Sequence, residues 1–124
     1  MLQLRSNIIS ADNTGAKILH MIGIPGRGNK KIAGVGDVIR CVVTKASSIG
    51  SVKEHEKVLA VIVRTRKSIR RADGSVIRFD DNAAVVLENV KEKLPKGTRV
   101  FGPVAREIKD LGYNKIASMA KEVY

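Results

Sequence analysis

A chain of 124 residues with 23 Lys and Arg against 12 Asp and Glu carries a formal charge of +11, and its residues are 44% apolar but only 3% aromatic. That length fits one domain around one core, and no apolar run is long enough to cross a bilayer as a helix. A positive field of this size draws polyanions, so nucleic acid is the leading expected partner, with no membrane, no small-molecule substrate and no cofactor expected.

Trp is absent and there are only four aromatic residues, so Val, Ile, Leu and Ala must fill the core, which favours pleated structure. The N-terminal Met1-Leu2-Gln3-Leu4-Arg5 lacks the charged segment and apolar stretch of a secretory signal. The expected location is therefore cytoplasmic, and the lack of a transit-like extension points to a bacterial or organelle-encoded chain. Cys41, the single cysteine, excludes an internal disulfide and reads as a buried, inert thiol between Arg40 and Val42.

Turn signals recur about every ten residues between β-branched runs, the rhythm of a small barrel or sandwich. Residues 6–11 and 17–24 are expected to form two strands joined through Asp12-Asn13-Thr14-Gly15, where Asn and Gly tolerate a tight turn. Pro25-Gly26-Arg27-Gly28-Asn29-Lys30-Lys31 cannot continue a strand and reads as a solvated loop that offers Arg27, Lys30 and Lys31 to a partner. Residues 37–45 and 58–66 are the strongest expected strands; they look too apolar on both faces for an exposed sheet.

Further along, Ala72-Asp73-Gly74 turns the chain into a strand over 75–79, and Asp80-Asp81-Asn82 turns it into another over 83–88. Beyond Pro103, Val104, Ile108 and Leu111 recur near helical spacing before Gly112, as do Ile116, Met119 and Ala120. Two short helices over about 104–121 are expected to close one mainly β domain spanning 1–124.

The densest charge lies in Arg64-Thr65-Arg66-Lys67-Ser68-Ile69-Arg70-Arg71 with Arg78, opposed only by Asp73. If the strand continued, Arg64 and Arg66 would share a face about 7 Å apart, close to the spacing of neighbouring phosphates. Arginine also forks onto phosphate oxygens. The plainer alternative is a solvated hairpin kept soluble by its charge, but such crowding costs self-repulsion that a polyanion relieves. Replacing Arg70 and Arg71 together is expected to flatten the salt dependence of RNA binding by more than about one unit.

A free module for single-stranded nucleic acid would want an aromatic groove, yet Phe79 and Phe101 sit in apolar strand contexts that suit core packing. Recognition should rest on phosphates, 2′-hydroxyls and RNA shape. An enzyme finds no support: Gly26-Arg27-Gly28 and Gly34-Val35-Gly36 both fail the dinucleotide fingerprint, and no phosphate-loop Gly-Lys-Ser/Thr sequence exists. His20 and His55 lack partners at metal-ligand spacing, and the adjacent Asp80 and Asp81 suit a turn better than an acid/base pair.

Ala11-Asp12-Asn13-Thr14-Gly15-Ala16-Lys17, Ala60-Val61-Ile62-Val63-Arg64-Thr65-Arg66-Lys67, residues 70–87 and residues 97–107, in matching order over nearly the whole chain, resemble the bacterial form of the large-subunit ribosomal protein fourteen family. The resemblance implies a five-stranded barrel with a projecting β-ribbon, bound to large-subunit rRNA at the subunit interface. It also implies bridges to small-subunit rRNA, a neighbouring large-subunit protein and a docked ribosome-silencing factor. By position, Lys17, Arg64, Arg66, Lys67, Arg70, Arg71 and Arg78 become candidates for rRNA contact. Thr98, Arg99, Arg106 and Lys115 become candidates for the interface or silencing-factor face. The chain departs from the family pattern at Ala46-Ser47-Ser48-Ile49, at Lys53-Glu54-His55-Glu56 and at Met119-Ala120-Lys121-Glu122.

Overall fold

The structure, a computed structural model, describes residues 2, 6–25 and 32–124. Its elements in chain order are β1 (Asn7–Ser10), β2 (Ala16–Gly23), β3 (Val38–Ala46), β4 (Lys57–Arg64), β5 (Ile69–Arg70), β6 (Val76–Ile77), β7 (Ala83–Asn89), β8 (Leu94–Pro95), α1 (Arg106–Asp110) and α2 (Asn114–Met119). Strands β1, β2, β3, β4 and β7 pair in that order, and parallel pairing of β1 with β7 through Ile9↔Ala83 and Ser10↔Ala84 closes a five-stranded barrel. β8 continues along the far end of β7 at Leu87↔Pro95, and β5 with β6 forms a separate ribbon.

The expected β1 to β2 hairpin is present, with Ile9 opposite Ile18 and Gly15 at φ +98. A Cβ on Gly15 would lie 2.5 Å from the Gly50 Cα, so the two backbones meet where no side chain fits. Buried Asp12 organises the same turn. One carboxylate oxygen accepts hydrogen bonds from Ser10 Oγ at 2.8 Å and Thr14 Oγ1 at 2.7 Å, and the other accepts the Val86 N–H of β7 at 2.9 Å. A local turn is thereby tied to a strand seventy-four positions away.

Apolar side chains fill the barrel: Ile8, Leu19, Met21, Ile39, Cys41, Val43, Ala60, Ile62, Ala84 and Val86 form one buried cluster. Burial of each large aliphatic among them contributes on the order of 1.5–3 kcal/mol. A second cluster lies outside the barrel wall, where Val104, Ile108, Tyr113 and Ile116 cover Val61, Val63, Ala83 and Val85. The C-terminal segment is thus what buries β4 and β7 on both faces. β3 departs from expectation, because it alternates inward Ile39, Cys41 and Val43 with the exposed Arg40 and Thr44.

Other departures are local. β4 stops at Arg64, two residues short of the expected end, and the helices are shorter than the periodicity predicted, with Val104 in an isolated bridge to Val123. Phe79 is buried as expected, although it belongs to neither core cluster, and Phe101 is 53% exposed and also lies outside both. β8 had no sequence signal, since Pro95 lies in a charged stretch and pairs only at the barrel's edge.

Candidate nucleic-acid interface

The cation-rich segment begins where β4 ends. Thr65 Oγ1 donates to the Lys67 carbonyl at 3.1 Å, and Asn82 Oδ1 accepts the Arg66 N–H at 2.9 Å. These bonds bend the chain out of the barrel, so Arg64 and Arg66 do not share an extended face as the sequence suggested. Arg66 and Lys67 are exposed; Arg64 is buried.

Arg64 is engaged mainly within the protein, and its Nη2 donates to Asp81 Oδ2 at 3.4 Å. Nη1 donates to the carbonyls of Phe101 at 2.9 Å and Pro103 at 3.2 Å, and Nε lies 2.9 Å from Asp81 Oδ1. The side chain is only 9% exposed and is turned toward one carboxylate and two carbonyls of the protein itself. The fit is close enough to constrain the backbone. Gly102 has φ +78, and a Cβ there would lie 2.1 Å from Arg64 Nη1.

In the ribbon, Ile69 pairs with Ile77 and Arg70 with Val76. Directly opposed residues share a face and alternate residues return to it, so Arg70, Val76 and Arg78 point one way and Ile69, Arg71 and Ile77 the other. Burial agrees: the first three are exposed, the second three half-buried. Arg70 and Arg78 are diagonal neighbours, about 7–8 Å apart across the ribbon, which restores there the spacing first expected on β4. Arg71 turns inward, with Nη2 2.8 Å and Nε 3.0 Å from Glu107 Oε1, and so fastens the ribbon to α1.

At the ribbon's tip, Asp73 accepts hydrogen bonds from the Ser75 hydroxyl and N–H, which hold its carboxyl below the ordinary range with a smaller contribution from Arg106. Lys17 is exposed on β2 and lines a shallow groove of about 550 Å³ with Asn13, Ile49 and Phe101, on a different element from the ribbon. Arg27, Lys30 and Lys31 lie outside the described residues.

Thr98 and Arg99 are exposed on the segment that follows β8. Asn13 holds both: its Oδ1 accepts the Thr98 N–H at 2.8 Å and the Arg99 N–H at 3.1 Å, and its Nδ2 donates to Thr98 Oγ1 at 2.8 Å. They do not begin a regular strand; the backbone instead makes an isolated bridge, Asp12↔Val100, and the Phe101 N–H donates to the Ala11 carbonyl at 2.6 Å. Arg106 opens α1, where it lines a cleft of about 500 Å³ with Lys109, Asn114 and Ser118, and Lys115 is exposed on α2.

Sequence reasoning missed Asn13 as a side chain with long-range partners, since Asn in a turn is already explained by the turn. It also missed Arg40, Lys57 and Lys96, which surround a cleft of about 480 Å³ on the outer barrel wall together with Glu56 and Glu88. Period-two alternation on β3 carried a signal for Arg40 alone. Among the described residues no group of three or more His, Cys, Asp or Glu side chains converges as a metal site. No helix among them is long and apolar enough to cross a membrane. Burial pushes the Cys41 thiol up to about 12, which makes it a poor nucleophile.

The described cations therefore divide into exposed ones that can meet a polyanion and engaged ones that hold the scaffold. Comparison with known proteins agrees with the architecture. The large ribosomal subunit protein uL14 of Petrotoga mobilis (strain DSM 10674 / SJ95) is 56% identical over 124 residues, the whole of both chains. The profile of the family described as ribosomal protein L14p/L23e matches residues 1–124, and the chain belongs to that family, as a structural ribosomal protein and not an enzyme.

Proposed function

We propose that this structural constituent of the large ribosomal subunit binds large-subunit rRNA through the outward face of its ribbon and the turn before it. Arg66, Lys67, Arg70 and Arg78 carry the contact, with Lys17 as a separate point on β2. The observation behind this reading is the partition of charge. These side chains are exposed and make no ion pair among the described residues, whereas Arg64 and Arg71 in the same segment are consumed by Asp81 and Glu107. Counterion release from phosphates would supply the affinity, and the two exposed aromatics, Phe101 and Tyr124, lie outside the ribbon, which leaves little part there for base stacking. Arg27, Lys30 and Lys31, outside the described residues, are included in the same proposal.

We assign the exposed Thr98, Arg99, Arg106 and Lys115 to the outer surface that meets small-subunit rRNA, and the same surface would receive a ribosome-silencing factor. The held backbone of residues 98 and 99 supports this, because a fixed loop loses less conformational freedom on docking. Sedimentation of lysate at low magnesium, with the tagged chain followed by immunoblot, tests the reading. Near-stoichiometric presence in the large-subunit peak through a moderate salt wash is expected. Recovery only in light, RNA-free fractions would overturn it.

A further inference from the structure

The loop that carries Thr98 and Arg99 has few regular pairings of its own, yet it is held at both ends by side chains from elsewhere. Asn13, eighty-five positions away in the β1 to β2 turn, makes three hydrogen bonds to Thr98 and Arg99. Arg64 holds the far end through the Phe101 and Pro103 carbonyls. The hold on the near end is tight, since a Cβ on Gly97 would lie 2.7 Å from Asn13 Oδ1. Asn13 is not needed to form the turn's core, because Asp12 and Thr14 already satisfy that role with buried bonds. Its side chain is exposed and its polar atoms are directed at the loop.

We propose that Asn13 is a positioning residue for the surface formed by Thr98 and Arg99: it fixes the loop so that Arg99 meets a phosphate-bearing partner without first being ordered. This rests on the assignment of that surface to small-subunit rRNA made above. The chemistry distinguishes substitutions. Asn13→Ala removes all three bonds. Asn13→Asp keeps them, because a carboxylate accepts both N–H groups and the Thr98 hydroxyl can rotate to donate.

Large subunits purified from cells whose only copy of this protein is wild type, Asn13→Ala, Asn13→Asp, Arg99→Ala or the Asn13→Ala/Arg99→Ala double variant are mixed with purified small subunits. Association is followed by light scattering across magnesium. Variant content in the large subunit and thermal unfolding of the free proteins report any purely structural loss. We expect Arg99→Ala and Asn13→Ala each to weaken association by about fivefold, the double variant to be no worse than about the weaker single variant, and Asn13→Asp to stay near wild type. Additive losses, or an Asn13→Ala effect on content and unfolding with none on association, would overturn the positioning role. If Arg99→Ala joins small subunits like wild type, the surface assignment itself fails, and the positioning role falls with it.

Discussion

Removing Arg70 and Arg78 together should change how RNA binding responds to salt, whereas removing Arg71 should not. Each cation that neutralises a phosphate contributes about 0.7–0.9 to the slope of log affinity against log salt. Five exposed cations, Lys17, Arg66, Lys67, Arg70 and Arg78, set a slope of about −3.5 to −4.5 for the described residues. Arg70→Ala with Arg78→Ala removes two, so the slope should flatten by about 1.4–1.8, and roughly a tenfold difference in relative affinity should open between 50 and 200 mM salt. Arg71 is half-buried against Glu107, so Arg71→Ala should leave the slope within error and lower stability by about 1 kcal/mol or less. Arg70→Ala with Arg71→Ala then flattens the slope by only about 0.7–0.9, below the change expected if both side chains contact phosphate. The assay is an anisotropy titration of labelled protein with protein-free large-subunit rRNA at a series of salt concentrations. An Arg71→Ala slope as flat as that of Arg70→Ala would refute the partition of charge.

Arg64→Met should destabilise the fold by about 1–3 kcal/mol in chemical denaturation, because two carbonyls lose their donor and the partly exposed Asp81 its partner, with the salt slope of the folded fraction unchanged. Gly15→Ala should cost on the order of 1–3 kcal/mol for backbone strain alone, with more added by the contact at Gly50, and its unfolding midpoint is the measurement. Cys41, raised from 9.0 to about 12, should resist thiol reagents at pH 8 until the protein unfolds. Because its folded value is raised, the stabilisation is fully present below about pH 9 and lost as pH climbs toward 12. Stability of the wild type should accordingly fall faster over that range than that of Cys41→Ala.

The barrel was legible because its signals are local and repeated. Asp12-Asn13-Thr14-Gly15 declares a turn, Ala72-Asp73-Gly74 another, and the β-branched runs between such turns have strand length. Burial of β4 on both faces was correctly suspected, but the cause, coverage by Ile108, Tyr113 and Ile116, depends on how the C-terminal segment folds back and has no trace in β4 itself. Phe101 was misassigned for a related reason. An aromatic beside Val100 reads as core, yet Gly102 and Pro103 turn the backbone there, and Arg64 draws the carbonyls inward and leaves the ring outside. The ribbon's two faces could have been read by alternation, but only with the register Arg70↔Val76 in hand, and a one-residue slip would have exchanged Arg70 for Arg71.

On the proposed reading the same residue type serves two purposes within one short segment, and partners distant in sequence decide which. Arg64 meets Asp81, which lies in the turn leaving the ribbon, and the carbonyls of Phe101 and Pro103, which lie in the loop leaving the Thr98 surface. One buried guanidinium therefore joins the base of the proposed rRNA-binding ribbon to the end of the proposed subunit-facing loop. Loss of an exposed cation should weaken one surface and spare the other. Loss of Arg64 should disturb both together: RNA affinity falls with no change in its salt slope, and small-subunit joining weakens in the same preparation. That pairing of effects separates a scaffold arginine from a phosphate ligand more sharply than any stability measurement, since a ligand must carry its signature in the slope and a scaffold residue cannot.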